Sequence, residues 1–150
     1  MATQVPAPYR IFFTTIDPIL AISGTLTSLF APSLILGPSA PKIPTPESTF
    51  LLQSSAGFYA AFVLLQVFLL RARPHDLTVW RALEASLLIT DIFIVVASFG
   101  FYGSKHGTAV PFLWKVEEIG NFVITAGVGV IRALFLLGVG LPSGAKSRSK

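Results

Sequence analysis

The stretch Thr78–Phe101, TVWRALEASLLITDIFIVVASFGF, decides how this chain folds. A helix that crosses the hydrocarbon core of a bilayer needs about 20 mostly apolar residues, and this segment meets that length. Its polar residues are not scattered. Trp80, Glu84, Leu87 and Asp91 follow i, i+4, i+7 and i+11, which is one stripe of an α-helix. Asp91 has about ten helical residues on either side and no adjacent cation in the sequence. A charge near the bilayer centre costs ~3 kcal/mol or more unless it is paired or neutralised. The segment therefore predicts a membrane helix whose acidic stripe faces other helices.

Three further stretches qualify, and they predict an all-α, integral membrane four-helix bundle forming a single domain. The helices are expected over about 9–30, 48–70, 78–101 and 111–141, followed by a basic tail over 142–150. Ser48 or Thr49 is the expected N-cap of the second helix. Arg71, Arg73 and Pro74 end it, and Gly100 and Gly103 mark the end of the third. The prolines between the first two helices, Pro32, Pro38, Pro41, Pro44 and Pro46, crowd too closely for a helix. Pro6 and Pro8 ahead of the first apolar run do not read as a cleaved signal peptide. No internal repeat is evident.

Composition agrees. Of the 150 residues, 53% are hydrophobic and 12% charged, against about 25% charged in soluble domains. So few charges cannot cover the surface of a small soluble fold. The net charge of +4 is not a nucleic-acid footprint, because no basic helix face or aromatic-basic platform forms. Its distribution sets topology. Arg10, Arg71, Arg73, Arg81, Lys146, Arg148 and Lys150 fall on one side, and Lys42, Lys105 and Lys115 on the other. The positive-inside rule then places both termini in the cytosol. Endoplasmic reticulum residence is the default expectation for such a protein without a sorting signal. Trp80 and Trp114 stand at helix starts on opposite sides, as interfacial anchors do.

Further acids accompany Asp91 and Glu84. Asp17 lies about two turns into the first helix, and Glu117 and Glu118 open the fourth. Glu118, Asn121, Thr125 and Arg132 recur at +3, +7 and +14 on one face. Gln53, Tyr59 and Gln66 on the second helix can add hydrogen bonds. Each has a plainer reading. Asp17-Pro18 can cap a helix that begins there, Glu84 can pair with Arg81, and Glu117 and Glu118 can lie at the surface beside Lys115. Arg132 can snorkel. Gly57, Gly127 and Gly129 read as small residues that let helices approach. His75 and His106 read as solvated loop residues.

Without cysteine, thiolate metal sites and a cysteine nucleophile are excluded. No metal-ligand spacing, dinucleotide fingerprint or nucleophile elbow occurs, so no metal and no cofactor is expected. What remains is acid–base chemistry. In a dry pocket one carboxyl group favours its protonated form, while a neighbour held by an arginine stays ionised. Epoxide opening, hydration, double-bond migration and cationic cyclisation fit such a pair. Asp91 is the expected general acid and Glu84 or Asp17 the base, with Arg132 holding the ionised partner. Glu118, Asn121, Trp80 and Tyr59 are the expected substrate-binding residues. The substrate, entering from membrane lipid, is a lipophilic small molecule.

The segments Arg10-Ile-Phe-Phe-Thr-Thr-Ile-Asp17-Pro18 and Trp114-Lys-Val-Glu117-Glu118, with an aromatic and an acid on the third helix, carry a likeness. They resemble small four-helix fungal membrane proteins of secondary-metabolite clusters, and more distantly the emopamil-binding-protein-like fold of sterol isomerases and sigma-2-type lipid binders. The resemblance covers roughly Tyr9 to Leu141. It implies an acid-lined pocket acting on a polyketide or terpenoid, as in polyether pathways where a small hydrolase opens polyene epoxides. Soluble epoxide hydrolases of the limonene type use Asp, Arg and Asp; Asp91, Arg132 and Asp17 or Glu84 supply those group types here, a likeness of chemistry and not of fold. The histidine that sterol isomerases carry inside the bundle has no counterpart. The expected function is a membrane epoxide hydrolase or cyclase. The alternatives are an isomerase, a non-catalytic lipid or sterol binder, and a proton-coupled transporter, for which four helices would require a homodimer.

Overall fold

The computed structural model describes residues 5–32, 34, 45–107, 110, 114 and 116–142. The expected tail beyond Pro142, Lys42, Lys115 and the start of the fourth helix at 111 lie outside them. Among the described residues all regular structure is helical. Four helices are long and apolar enough to cross a membrane: α1 (Ala7–Phe30), α2 (Pro46–Ala72), α3 (Leu77–His106) and α4 (Val116–Leu136). They form two compact units, Val5–Asp76 with α1 and α2, and the chain from Leu77 onward with α3 and α4.

In the first unit α1 and α2 run antiparallel, since Asp17 meets Gln66 and Thr14 meets Arg71. Both helices carry a wider π turn at this level, Phe12–Ile16 in α1 and Leu65–Leu69 in α2. The cause in α1 is Pro18. Proline has no N–H to give to the carbonyl four residues back, and its ring crowds that carbonyl. The π turn widens the backbone ahead of it, with the Asp17 amide reaching Phe12 O. Arg71 Nη2 then donates to Thr14 O at 3.3 Å, the carbonyl that Pro18 cannot serve. Asp17-Pro18 is thus an interruption within a continuous helix and not its cap.

α2 starts earlier than the sequence suggested. Thr45 is its N-cap, accepting from the Ser48 amide, and Pro46 occupies the first turn, where a missing N–H costs nothing. The sequence assigned the cap to Ser48 or Thr49, both of which lie inside the helix. α3 passes Gly100 and Gly103 and ends at His106, where Gly107 takes φ 63°. A helix terminates readily on a glycine in this left-handed conformation, whereas glycines with helical angles only weaken it. α4 ends at Leu136 and not at 141, because Gly138 at φ 79° turns the chain.

Hydroxyls along these helices bond to their own backbone. Thr25, Thr27 and Ser28 in α1, Ser55 in α2, Ser86 and Thr90 in α3, and Thr125 in α4 each donate to the carbonyl four residues earlier. Such bonds satisfy a hydroxyl without water. The outer faces are apolar: Phe30, Phe58, Phe68 and Phe93 are 67–79% exposed.

The Asp17–Gln66 bond, 2.5 Å long with Asp17 and Gln66 both buried, is the polar tie of the first unit. A hydrogen bond to a charged group contributes about 2 kcal/mol. Gln66→Leu is expected to lower thermal stability by that order, whereas Gln53→Leu, at an exposed position of the same helix, leaves it nearly unchanged. Equal melting of the two variants in detergent would contradict this role for Gln66.

Candidate functional site

The acidic stripe of α3 is buried along its length. Trp80, Leu83, Glu84, Leu87 and Asp91 all turn inward, as the i, i+4, i+7, i+11 spacing requires. Glu84 and Asp91 stand two turns apart, about 10 Å along the axis. A single side chain of α4 spans the gap. Arg132 Nε donates to Glu84 Oε2 at 3.1 Å, and Arg132 Nη1 donates to Asp91 Oδ2. Side chains lean toward the N-terminus of their own helix. In this antiparallel pair that leaning carries Arg132 along α3 toward Asp91. The flat guanidinium, with donors pointing in fixed and different directions, serves two acceptors at once as an ammonium cannot.

Neighbouring packing fixes this trio. Trp80, fully buried, packs on Phe135 one turn beyond Arg132, with ring centroids 6.3 Å apart. On the other side Gly129 lies against Asp91: a Cβ at Gly129 would stand 3.5 Å from Asp91 Cβ and 3.7 Å from Oδ2. Gly57 and Gly127 have open space around them, so of these three glycines only Gly129 would bring a Cβ against another helix. Glu84 pairs with Arg132, not with Arg81 as the plainer reading had it, and Arg132 is buried and does not snorkel.

A second polar group closes the far end of the same unit. Glu118, with 1% of its side chain exposed, accepts from Lys105 Nζ at 2.6 Å and bonds His106 Nε2 at 2.7 Å. His106 is therefore no solvated loop residue. The longer α3 carries it to the last turn, where Lys105 and His106 also suit the helix dipole. Lys105 Nζ lies 5.6 Å from the Tyr102 ring centroid, and Tyr102 in turn packs on Trp114, 5.3 Å between centroids. Trp114 and Phe99 join Phe122 in the same aromatic cluster. Glu118 is thus at neither the surface nor the trio. Asn121, expected on the same face, is exposed, although its carbonyl accepts from Thr125. The side chain of Glu117 lies outside the described residues.

Of the remaining expected residues, Asp17 and Tyr59 belong to the first unit. Asp17 takes its bond from Gln66 there, and Tyr59 is half-buried on α2. The structure therefore brings together Glu84, Asp91 and Arg132, with Trp80 alongside, and puts Glu118 with Lys105 and His106. Among the described residues no three His, Asp or Glu side chains gather into a metal-holding group. The role of Arg71 was missed. Its signal was Pro18, which guarantees that the Thr14 carbonyl needs a donor from elsewhere.

Chemically, the trio offers two carboxyl groups held in fixed relation by one cation. Removing one member of a buried ion pair costs about 3–5 kcal/mol, because the partner charge remains buried. Arg132→Met is expected to lose that much stability, and adding Glu84→Gln and Asp91→Asn should restore part of it. The check is a mutant cycle followed by thermal unfolding. Additive effects, with no recovery in the triple variant, would contradict direct coupling.

No curated protein and no solved structure matches the chain. A family model does match, over residues 2–142. That span is nearly the whole chain and takes in all four helices. The chain belongs to the family described as Domain of unknown function (DUF7704).

Proposed function

We propose that the chain is a multi-pass membrane enzyme, resident in the endoplasmic reticulum with both termini cytosolic, that uses Glu84, Asp91 and Arg132 to open an epoxide in a lipophilic polyketide or terpenoid. The observation that carries this reading is the single arginine shared by two buried carboxyl groups on one helix stripe. Membrane residence is supported by four helices of spanning length and by hydroxyls satisfied within their own helices.

In a low-dielectric setting the favoured state of such a trio carries the least net charge. One carboxyl group keeps a proton and the other is ionised on Arg132. Asp91 is the proton donor in this reading, since 13% of its side chain is exposed and none of Glu84's is. Asp91 protonates the epoxide oxygen as its C–O bond breaks. Water, or a hydroxyl of the substrate, forms the new C–O bond, and Glu84 takes the proton it releases. Two carboxyl groups held in opposite protonation states supply an acid and a base from one residue type. Trp80 packs on Phe135 beside this pair. Neither metal nor organic cofactor takes part.

The test is the profile of lipid-soluble metabolites from the source strain with and without this gene, and with Asp91→Asn in its place. Hydrolysis predicts that both changed strains accumulate a precursor one water lighter than the normal product. Cyclisation or isomerisation predicts a precursor of unchanged mass. An unaltered profile would contradict the enzyme reading and favour a non-catalytic lipid binder.

A further inference from the structure

We infer that Gly129 is the specificity-determining position of this site, its missing side chain leaving beside Asp91 the space that an oxygen of a lipophilic substrate enters to bond with Asp91. The inference rests on the reading of Asp91 as the group that meets the substrate.

The two carboxyl groups differ in what surrounds them. Glu84 is closed in, with Trp80 one turn away on its own helix, and Trp80 packs on Phe135 of α4. Asp91 has no aromatic ring at the corresponding position. Its neighbours across the helix pair are Arg132 and Gly129, and Leu88 of its own helix also faces Gly129. A methyl group at Gly129 would lie 3.5 Å from Asp91 Cβ, 3.7 Å from Asp91 Oδ2 and 3.7 Å from Leu88 Cδ1. These are ordinary van der Waals distances, so the helices do not need a glycine here in order to approach. The position holds room for one small group beside the Asp91 carboxyl group, whose Oδ2 also takes the bond from Arg132 Nη1. Gly127, two residues earlier, has nothing within 4 Å, so the restriction belongs to Gly129 alone. A site that admits a substrate oxygen to Asp91 but is narrowed by one methyl group selects for slim, unbranched surroundings of that oxygen. A disubstituted epoxide on an extended chain meets this condition, and one bearing bulky branches at the reacting carbon does not.

Diethylcarbodiimide, a slim apolar reagent that partitions into membranes, tests the access directly. A protonated carboxyl group gives its proton to a carbodiimide nitrogen while its oxygen adds to the central carbon. The acyl group then shifts to nitrogen as a stable acylurea, and no other reactant is consumed. The full-length protein in detergent is treated and the modified residue located by peptide mass spectrometry. Asp91 is expected to react and Glu84 not, with the label lost in Asp91→Asn. Gly129→Ala is expected to slow modification of Asp91 with its melting temperature unchanged, and Gly129→Val to abolish it. Gly127→Val serves as the reference and should leave the labelling of Asp91 unchanged. Modification of Asp91 in Gly129→Ala at the unsubstituted rate overturns the inference alone, leaving the acid–base reading in place. A fall in Asp91 labelling in Gly127→Val as large as that in Gly129→Ala also overturns it, since the effect would then not belong to Gly129. If neither Asp91 nor Glu84 reacts in the unsubstituted chain, the protonated-carboxyl reading falls and takes this inference with it. Should Gly129→Val fail to fold, the Gly129→Ala result decides.

Discussion

The second helix unit is organised around one demand, that Arg132 reach Glu84 and Asp91 together. That demand fixes much else. The two acids must lie two turns apart on one face, so α3 must remain an unbroken helix through both. α4 must run antiparallel, so that the leaning of Arg132 carries it along the stripe. Gly129 must not project far, or it would displace Asp91. Trp80 and Phe135 close one side of the trio, and the Lys105–Glu118–His106 group ties the same two helices about 20 Å away. Aromatic contacts such as Phe99 on Phe122 lie between these polar points, and they resist sliding far less than an arginine with directional bonds to two carboxyl groups.

The first unit solves a similar problem by different means. Pro18 removes a backbone donor from the middle of an apolar helix. Where water is excluded, a carbonyl left without a partner costs several kcal/mol. α1 answers with a π turn and with Arg71 from α2. α2 carries its own π turn at the same level, where Gln66 meets Asp17. π turns within α-helices are often found at functional sites. Here the one in α1 has a local cause in Pro18, and no catalytic role need be invoked for it.

Much of this was legible in the sequence. Helix number and placement followed from spanning-length apolar runs, because that pattern depends only on local composition. The acidic stripe of α3 followed from phase alone, and Arg132 as its partner followed from charge balance. Helix ends were less legible. Gly100 and Gly107 are the same residue type, and only the backbone angle at Gly107 distinguishes a terminator from an ordinary helical glycine. That error in turn hid the Glu118 group, because a helix ending at Phe101 leaves His106 in a loop. Asn121 stands about 60° round the helix from Glu118, and that offset leaves it exposed although α3 runs past its level. Asp17 could be read as a buried acid, but not assigned to a partner, since any of several polar residues on α2 had suitable spacing.

The central claim is that Arg132 holds one ionised and one protonated carboxyl group. Infrared spectroscopy of the purified protein reads this directly, because a protonated carboxyl group has a C=O stretch well separated from that of a carboxylate. The account predicts a protonated-carboxyl band at neutral pH that shifts in heavy water and disappears in Asp91→Asn. A spectrum in which Asp91→Asn removes only carboxylate absorption would mean that both acids are ionised on Arg132. The trio would then be an ion-pair clamp, and the acid–base account would be wrong.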